Sequence, residues 1–149
     1  MQRFFATMLF VFLGTFYATG APSRAADLST VWSAYEHAYA TKSVDEMSSL
    51  FTKDAIVDIQ GMQPLLGANA VRAFWVSRFA VASSERVRVS VASVSFDTDR
   101  GMAVVRGALN GYRIQGTIRK PFRARFLDVL RRAPVGTWHV FRSMTFLDK

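Results

Sequence analysis

Apolar side chains recur along this chain in two periods, and the switch between them divides it. Between residues 28 and 41, Val31, Trp32, Tyr35, Ala38 and Tyr39 fall at i, i+3 and i+4 spacing, which predicts a helix with an aromatic face. Asp27 or Ser29 can cap it by accepting from backbone N–H groups that have no partner inside the helix. Ser43-Val44-Asp45-Glu46 reads as a capping box that opens a second helix over 44–52, with Met47, Leu50 and Phe51 on its buried side. Asp54 to Gln60 is rich in β-branched residues and predicts a short strand. Residues 61–67, with Pro64, read as a loop. Helical spacing returns from Ala68 to Phe79 through Val71, Phe74, Trp75 and Phe79, and Ser83-Ser84-Glu85 ends it.

From residue 86 the period becomes two. Val87, Val89 and Val91 alternate with Arg86, Arg88 and Ser90. A turn at 97–101 leads to a strand from Met102 to Gln115, whose glycines (Gly107, Gly111, and Gly116 just beyond) suggest bulges or bends in a curved sheet. Phe122 to Arg131 and Thr137 to Leu147 follow as strands, joined by a turn at 133–136. Helices first and long antiparallel strands after them predict an α+β domain, with the strand half curled around the helical half.

The first 25 residues read as a secretory signal peptide rather than as part of the fold. Arg3 gives a positive start, Phe4 to Tyr17 an apolar run, and Ser23-Arg24-Ala25 small residues at the −3 and −1 cleavage positions. Ala18-Thr19-Gly20 is a second candidate site. The run is shorter than the ~20 residues that span a bilayer, so no stable membrane insertion is expected after cleavage. The expected location is the periplasm or the extracellular space, with one domain over 26–149.

Composition narrows the chemistry. The chain has no cysteine, which excludes disulfides, thiolate zinc sites and a lipoprotein anchor. Half of its residues are apolar and a fifth charged, as in a folded globular domain. Formal net charge is +8. Residues 101–149 hold ten basic and two acidic side chains, against seven and nine in 26–100. No arginine run with interleaved aromatics and no nucleic-acid motif accompanies that charge, so no nucleic-acid partner is expected. His37 and His139 have no metal-ligand spacing, and neither a G-x-S-x-G elbow nor a phosphate-cradling loop occurs. No metal or cofactor is expected.

Several motifs, in order, carry a resemblance. Val31-Trp32-Ser33-Ala34-Tyr35 is an aromatic first helix, and Leu50-Phe51-Thr52-Lys53-Asp54-Ala55 looks like an "LF-x-x-DA" junction. Gly67-Ala68-Asn69-Ala70-Val71-Arg72-Ala73-Phe74 is similar to "G-x-x-A-I-x-x-F"; Arg125 to Val129 and Trp138-His139-Val140 are similar to closing strands. Together they resemble the nuclear transport factor 2-like superfamily, in particular SnoaL-like domains. The resemblance implies a cone-shaped curved antiparallel β-sheet packed against three N-terminal helices, with a pocket inside. It suggests a homodimer through the outer sheet face, which would cover apolar strand positions. It does not imply one activity, because the fold hosts isomerases, cyclases, dehydratases and associating domains.

In such a cone the residues expected at the ligand are Tyr35, Tyr39, Ile59, Trp75 and Arg125. Tyr35 and Tyr39 share a helix face, where their hydroxyls can donate to a ligand carbonyl or serve as core aromatics. Arg125 is either buried with an anionic partner or an exposed strand arginine. Asp54 can cap or pair with Arg72. Tyr35 and Asp58 are the catalytic candidates. In ketosteroid isomerase, a relative of this fold, a first-helix tyrosine and a protonated aspartic acid form an oxyanion hole beside an aspartate base. The resemblance puts that tyrosine on Tyr35, the base on Ile59 next to Asp58, and the second acid near Leu127, next to Asp128. One residue along a strand is the opposite face, so both carboxylates are expected to point away from the pocket. The expected function is binding of a small, largely apolar ligand without that acid/base pair. The alternative is an isomerase, cyclase or dehydratase using Tyr35 and a pocket carboxylate.

Overall fold

The computed structural model describes residues 24–81, 84–97 and 99–148. The expected leader lies outside the described residues up to Ser23. The element order is α1 (Arg24–Thr41), α2 (Val44–Ser49), β1 (Phe51–Ile59), β2 (Leu65–Leu66), α3 (Gly67–Val81), β3 (Ser84–Asp97), β4 (Met102–Gln115), β5 (Ile118–Arg132) and β6 (Trp138–Leu147). The predicted α+β cone is the observed fold: three helices fill the concave side of one curved six-stranded sheet, ordered β2-β1-β6-β5-β4-β3. The four long strands pair antiparallel, as their two-residue period predicts. The sheet as a whole is mixed, because β1 lies parallel to β6. β3 runs against β1, and three hairpin reversals bring β6 back alongside it.

Glycines shape the concave face. The expected bulge falls opposite Gly107, where β3 slips register between Val91 and Ser93, while β4 pairs with β5 without interruption. Gly107 and Gly111 also make room. A Cβ at Gly107 would stand 2.4 Å from the Ser90 carbonyl oxygen and 2.5 Å from the Phe126 ring. One at Gly111 would stand 2.3 Å from the Arg86 carbonyl oxygen and 2.7 Å from the Phe122 ring. Each missing side chain lets the aromatic opposite it on β5 lie flat across the sheet. Gly116, at φ +61°, takes the first position of the two-residue β4–β5 turn, where positive φ favours glycine.

The helices dock through their predicted apolar faces. Trp32 packs on Phe126 at 5.3 Å between ring centroids, and Tyr39 contacts Trp75 and Phe79 edge to face. Glu36 accepts the Val89 N–H at 2.7 Å and the Arg88 guanidinium at 3.2 Å, so α1 covers the exposed edge of β3. Ser43 caps α2 by accepting the Glu46 N–H. The Glu46 carboxylate does not reach back as a capping box would; it pairs with His37 at 2.9 Å. α2 stops earlier than predicted because the Leu50 carbonyl accepts from Val140 N–H and the chain enters the sheet at Phe51. Asp54 pairs with Arg131 across the sheet at 3.2 Å, not with Arg72, which binds Asp45.

The crowding at Gly107 includes a backbone oxygen, which cannot swing aside. Gly107→Ala is therefore expected to lower the unfolding free energy by about 1–3 kcal/mol. Urea denaturation of the two proteins measures it, and an unchanged midpoint would contradict the close approach.

Candidate functional site

A cavity of about 250 Å³ lies between α1, α3 and the concave sheet face. Helical period brings Tyr35 and Tyr39 from α1, and Phe74, Trp75 and Arg78 from α3, to the same side. Strand alternation brings Val57 and Ile59 of β1, Leu109 and Arg113 of β4, and Ser143 and Thr145 of β6 to the other. Met62 and Leu147 line it while remaining about half exposed, which puts them at its rim. The wall is mostly apolar, with a few polar groups at fixed places, as in small-molecule sites.

Of the residues expected at a ligand, Tyr35, Tyr39, Ile59 and Trp75 all line this cavity. Arg125 does not. It stands on the outer sheet face and pairs with Asp148 at 3.1 Å, because β5 alternates and its odd positions face outward. The histidines also lie elsewhere. His37 is exposed beside Glu46, and the His139 Nδ1 donates to the Ser49 carbonyl at 3.0 Å. Among the described residues, no group of three His, Asp or Glu side chains gathers.

The two tyrosines act as a pair. Burial raises the Tyr35 hydroxyl well above its usual pKa, and its interactions with Tyr39 and Asp128 add to the rise. Burial likewise raises Tyr39, opposed by Arg78 and by the hydrogen bond with Tyr35. The two hydroxyls share this hydrogen bond on the cavity wall, which both residues line.

The two acids part company. Asp58 is register-matched to Met144 on the outer face, while its neighbours Val57 and Ile59 face inward. Its expected orientation away from the pocket is the observed one. Asp128 is the correction. It lies on the inner face in phase with Ala124, Phe126 and Leu130, opposite Ser143, with only 6% of its surface exposed. The strand's own alternation sets that phase: turning Asp128 outward would turn Arg123, Arg125 and Arg131 inward together, at a far larger desolvation cost. Burial pushes its carboxyl up to about 7, against a smaller lowering by a hydrogen bond with Ser143.

Three further charged residues were not apparent at the site in the sequence. Glu85 is completely buried and forms an ion pair with Arg78, whose side chain is 15% exposed and lines the cavity. Arg113 is the strand neighbour of Glu85 and sits over the Phe122 ring at 5.7 Å. The signal for Arg113 is its phase with Leu109 and Gly111. The signal for Arg78 is weaker: one arginine inside the stripe Val71, Phe74, Trp75, Phe79.

Comparison with known proteins now decides the family. The sequence profile of the SnoaL-like domain matches residues 24–143. The chain belongs to the SnoaL-like domain family. No curated protein matches the chain in sequence. Among solved structures, the ketosteroid isomerase-like protein from Erwinia carotovora atroseptica is similar at TM-score 0.75 and 19% identity, covering 85% of this chain and 98% of its own. A provisionally named dehydratase of the nuclear transport factor 2-like family from Streptomyces avermitilis is similar at TM-score 0.73 and 15% identity, with 85% and 98% covered. A nuclear transport factor 2-like protein with a cystatin-like fold from Novosphingobium aromaticivorans follows at TM-score 0.70 and 16% identity, with 83% and 81% covered. At these identities the likeness shows the SnoaL-like fold and not an activity.

The buried acid of this SnoaL-like domain gives stability a pH dependence. With its carboxyl at about 7 in the folded protein and near 3.8 when unfolded, Asp128 binds more protons folded than unfolded between those values. Its contribution is full below pH 4 and is lost as pH rises through 7. Asp128→Asn removes that loss, so at pH 8 the variant is expected to be more stable than the parent by on the order of 2–4 kcal/mol. At pH 4 the gap closes. Denaturant unfolding of both proteins at each pH measures it; a constant difference across the range would contradict an acid that is neutral when folded.

Proposed function

We propose that this SnoaL-like domain holds a small, largely apolar molecule with one hydrogen-bond acceptor in its cone, without ketosteroid-isomerase chemistry. The observation that carries the reading is the outward face of Asp58. Among the described residues, none that lines the cavity is a carboxylate or an imidazole, so a bound molecule meets no base. What it meets is an apolar wall, with Trp75 beneath it and the Tyr39 hydroxyl as donor. Titration with acetophenone, followed by backbone amide shifts, is expected to perturb residues around Tyr35 and Trp75. Tyr39→Phe is expected to weaken binding by about 5- to 10-fold, one neutral hydrogen bond. A 3-oxo-Δ5-steroid is expected to remain unisomerised, and turnover abolished by Asp58→Asn would overturn the reading.

A second reading is favoured by Asp128 alone. An acid that burial raises to about 7, close enough to Tyr35 to shift it, can in its protonated form support a hydroxyl that polarises a carbonyl, as an isomerase, cyclase or dehydratase requires. Turnover lost in both Tyr35→Phe and Asp128→Asn would establish it.

We also propose export to the periplasm or beyond, on the pattern of residues 1–25. The partner proposed for the outer sheet face is a second copy. Val104, Met144 and Phe146 are each at least 37% exposed there, and the face carries both Arg106 and Asp58, so a two-fold mate can set one against the other. Light scattering is expected to report a dimer at micromolar concentration, and Phe146→Asp to yield the monomer.

A further inference from the structure

The polar end of the cavity holds more positive than negative charge. Glu85 supplies the carboxylate, buried without exposure, and Arg78 takes it. Arg113 neighbours Glu85 across β3 and β4 and also lines the cavity. Among the described residues Arg113 has no carboxylate within ion-pair distance. It lies over the Phe122 ring, while the second oxygen of Glu85 is left without a hydrogen-bond partner. The fold thus holds one guanidinium away from the nearest anion and facing the cavity.

The other groups facing that spot do not cancel the charge. Tyr39 lines the same cavity as Arg78 and Arg113; burial raises its hydroxyl, and both guanidinium groups oppose that rise. Tyr35 stays protonated, and Asp128 stands opposite Ser143 and Val105, several residues along the sheet from Arg113. A half-buried arginine in an apolar wall gains most from a desolvated anion that accepts its fork of N–H groups.

We infer that the cone takes a monocarboxylate with an apolar body, its carboxylate held by Arg113 and the Tyr39 hydroxyl. This rests on the reading that the cone is a ligand site, and it names the ligand class. A single negative charge matches the single excess positive one, whereas a phosphate dianion would leave a buried charge unpaired. The cavity of about 250 Å³ limits the body to roughly one ring or a short chain. Arg78 stays with Glu85, since taking it away would strand a buried carboxylate.

The test pairs acids with their neutral amides: cinnamate against cinnamamide, and octanoate against octanamide, titrated into the purified protein at pH 7.5 by amide shifts. The parent is expected to bind each acid at least tenfold tighter than its amide. Arg113→Met is expected to bring acid and amide to the same affinity while still binding the amide, and Arg113→Lys to keep part of the preference. Thermal melts confirm that both variants fold. Equal affinity of acid and amide in the parent, or a preference that survives Arg113→Met, overturns the inference and leaves the cone as a neutral-ligand site. Failure of acids and amides alike overturns both.

Discussion

A carboxylate buried at Glu85 constrains much of what surrounds it. A charge with no exposure costs several kcal/mol unless a partner neutralises it. That partner is Arg78, in the last turn of α3, where a cation also meets the negative end of the helix dipole. The pair spans the connection from α3 to β3 and so fixes how α3 is rotated over the sheet. With Arg78 turned to Glu85, Trp75 lies one turn earlier over the cavity, and Phe79 meets Tyr39 of α1 at 5.6 Å. The ion pair thus sets the helix that roofs the site, and it occupies one of the two guanidinium groups that would otherwise face a ligand.

What is legible in the residues follows from local period. The stripe on α1 and the alternation of β3 to β6 announce their buried faces, because turning either would bury several charges together. Asp128 belongs to that legible set. Phe122, Ala124, Phe126 and Leu130 stand in its phase, and Arg123, Arg125 and Arg131 stand against it. Counting from the isomerase's positions argues the other way, since a bulge or an offset alignment moves such a count by one residue and reverses a side chain. A strand's own pattern integrates several desolvation costs, and so outweighs a single transferred position.

Other features have no local signal. The parallel pairing of β1 with β6 joins segments far apart in the chain. Ser84 and Glu85 read as polar residues that end a helix, and Arg78 as a lone interruption of an apolar stripe. Only the tertiary fold brings their charges together. Gly107 and Gly111 signal a departure from a regular strand, but whether as bulge or as close approach depends on the aromatic residue opposite.

The tyrosine pair lines the cavity with Arg78 and Arg113, while Asp128 is buried behind that lining opposite Ser143. Burial holds the Asp128 carboxyl up to about 7, opposed by its hydrogen bond with Ser143. Arg78 holds the Glu85 carboxylate, and Arg113 beside it has no ion-pair partner among the described residues. Tyr35 lies close enough to Asp128 to feel its charge and is hydrogen-bonded to Tyr39, which lines the cavity with Arg78 and Arg113. Solved structures at 15–19% identity share the cone. Shape alone therefore does not distinguish this chain from them, and its chemistry has to come from where these few charges sit on the shared frame.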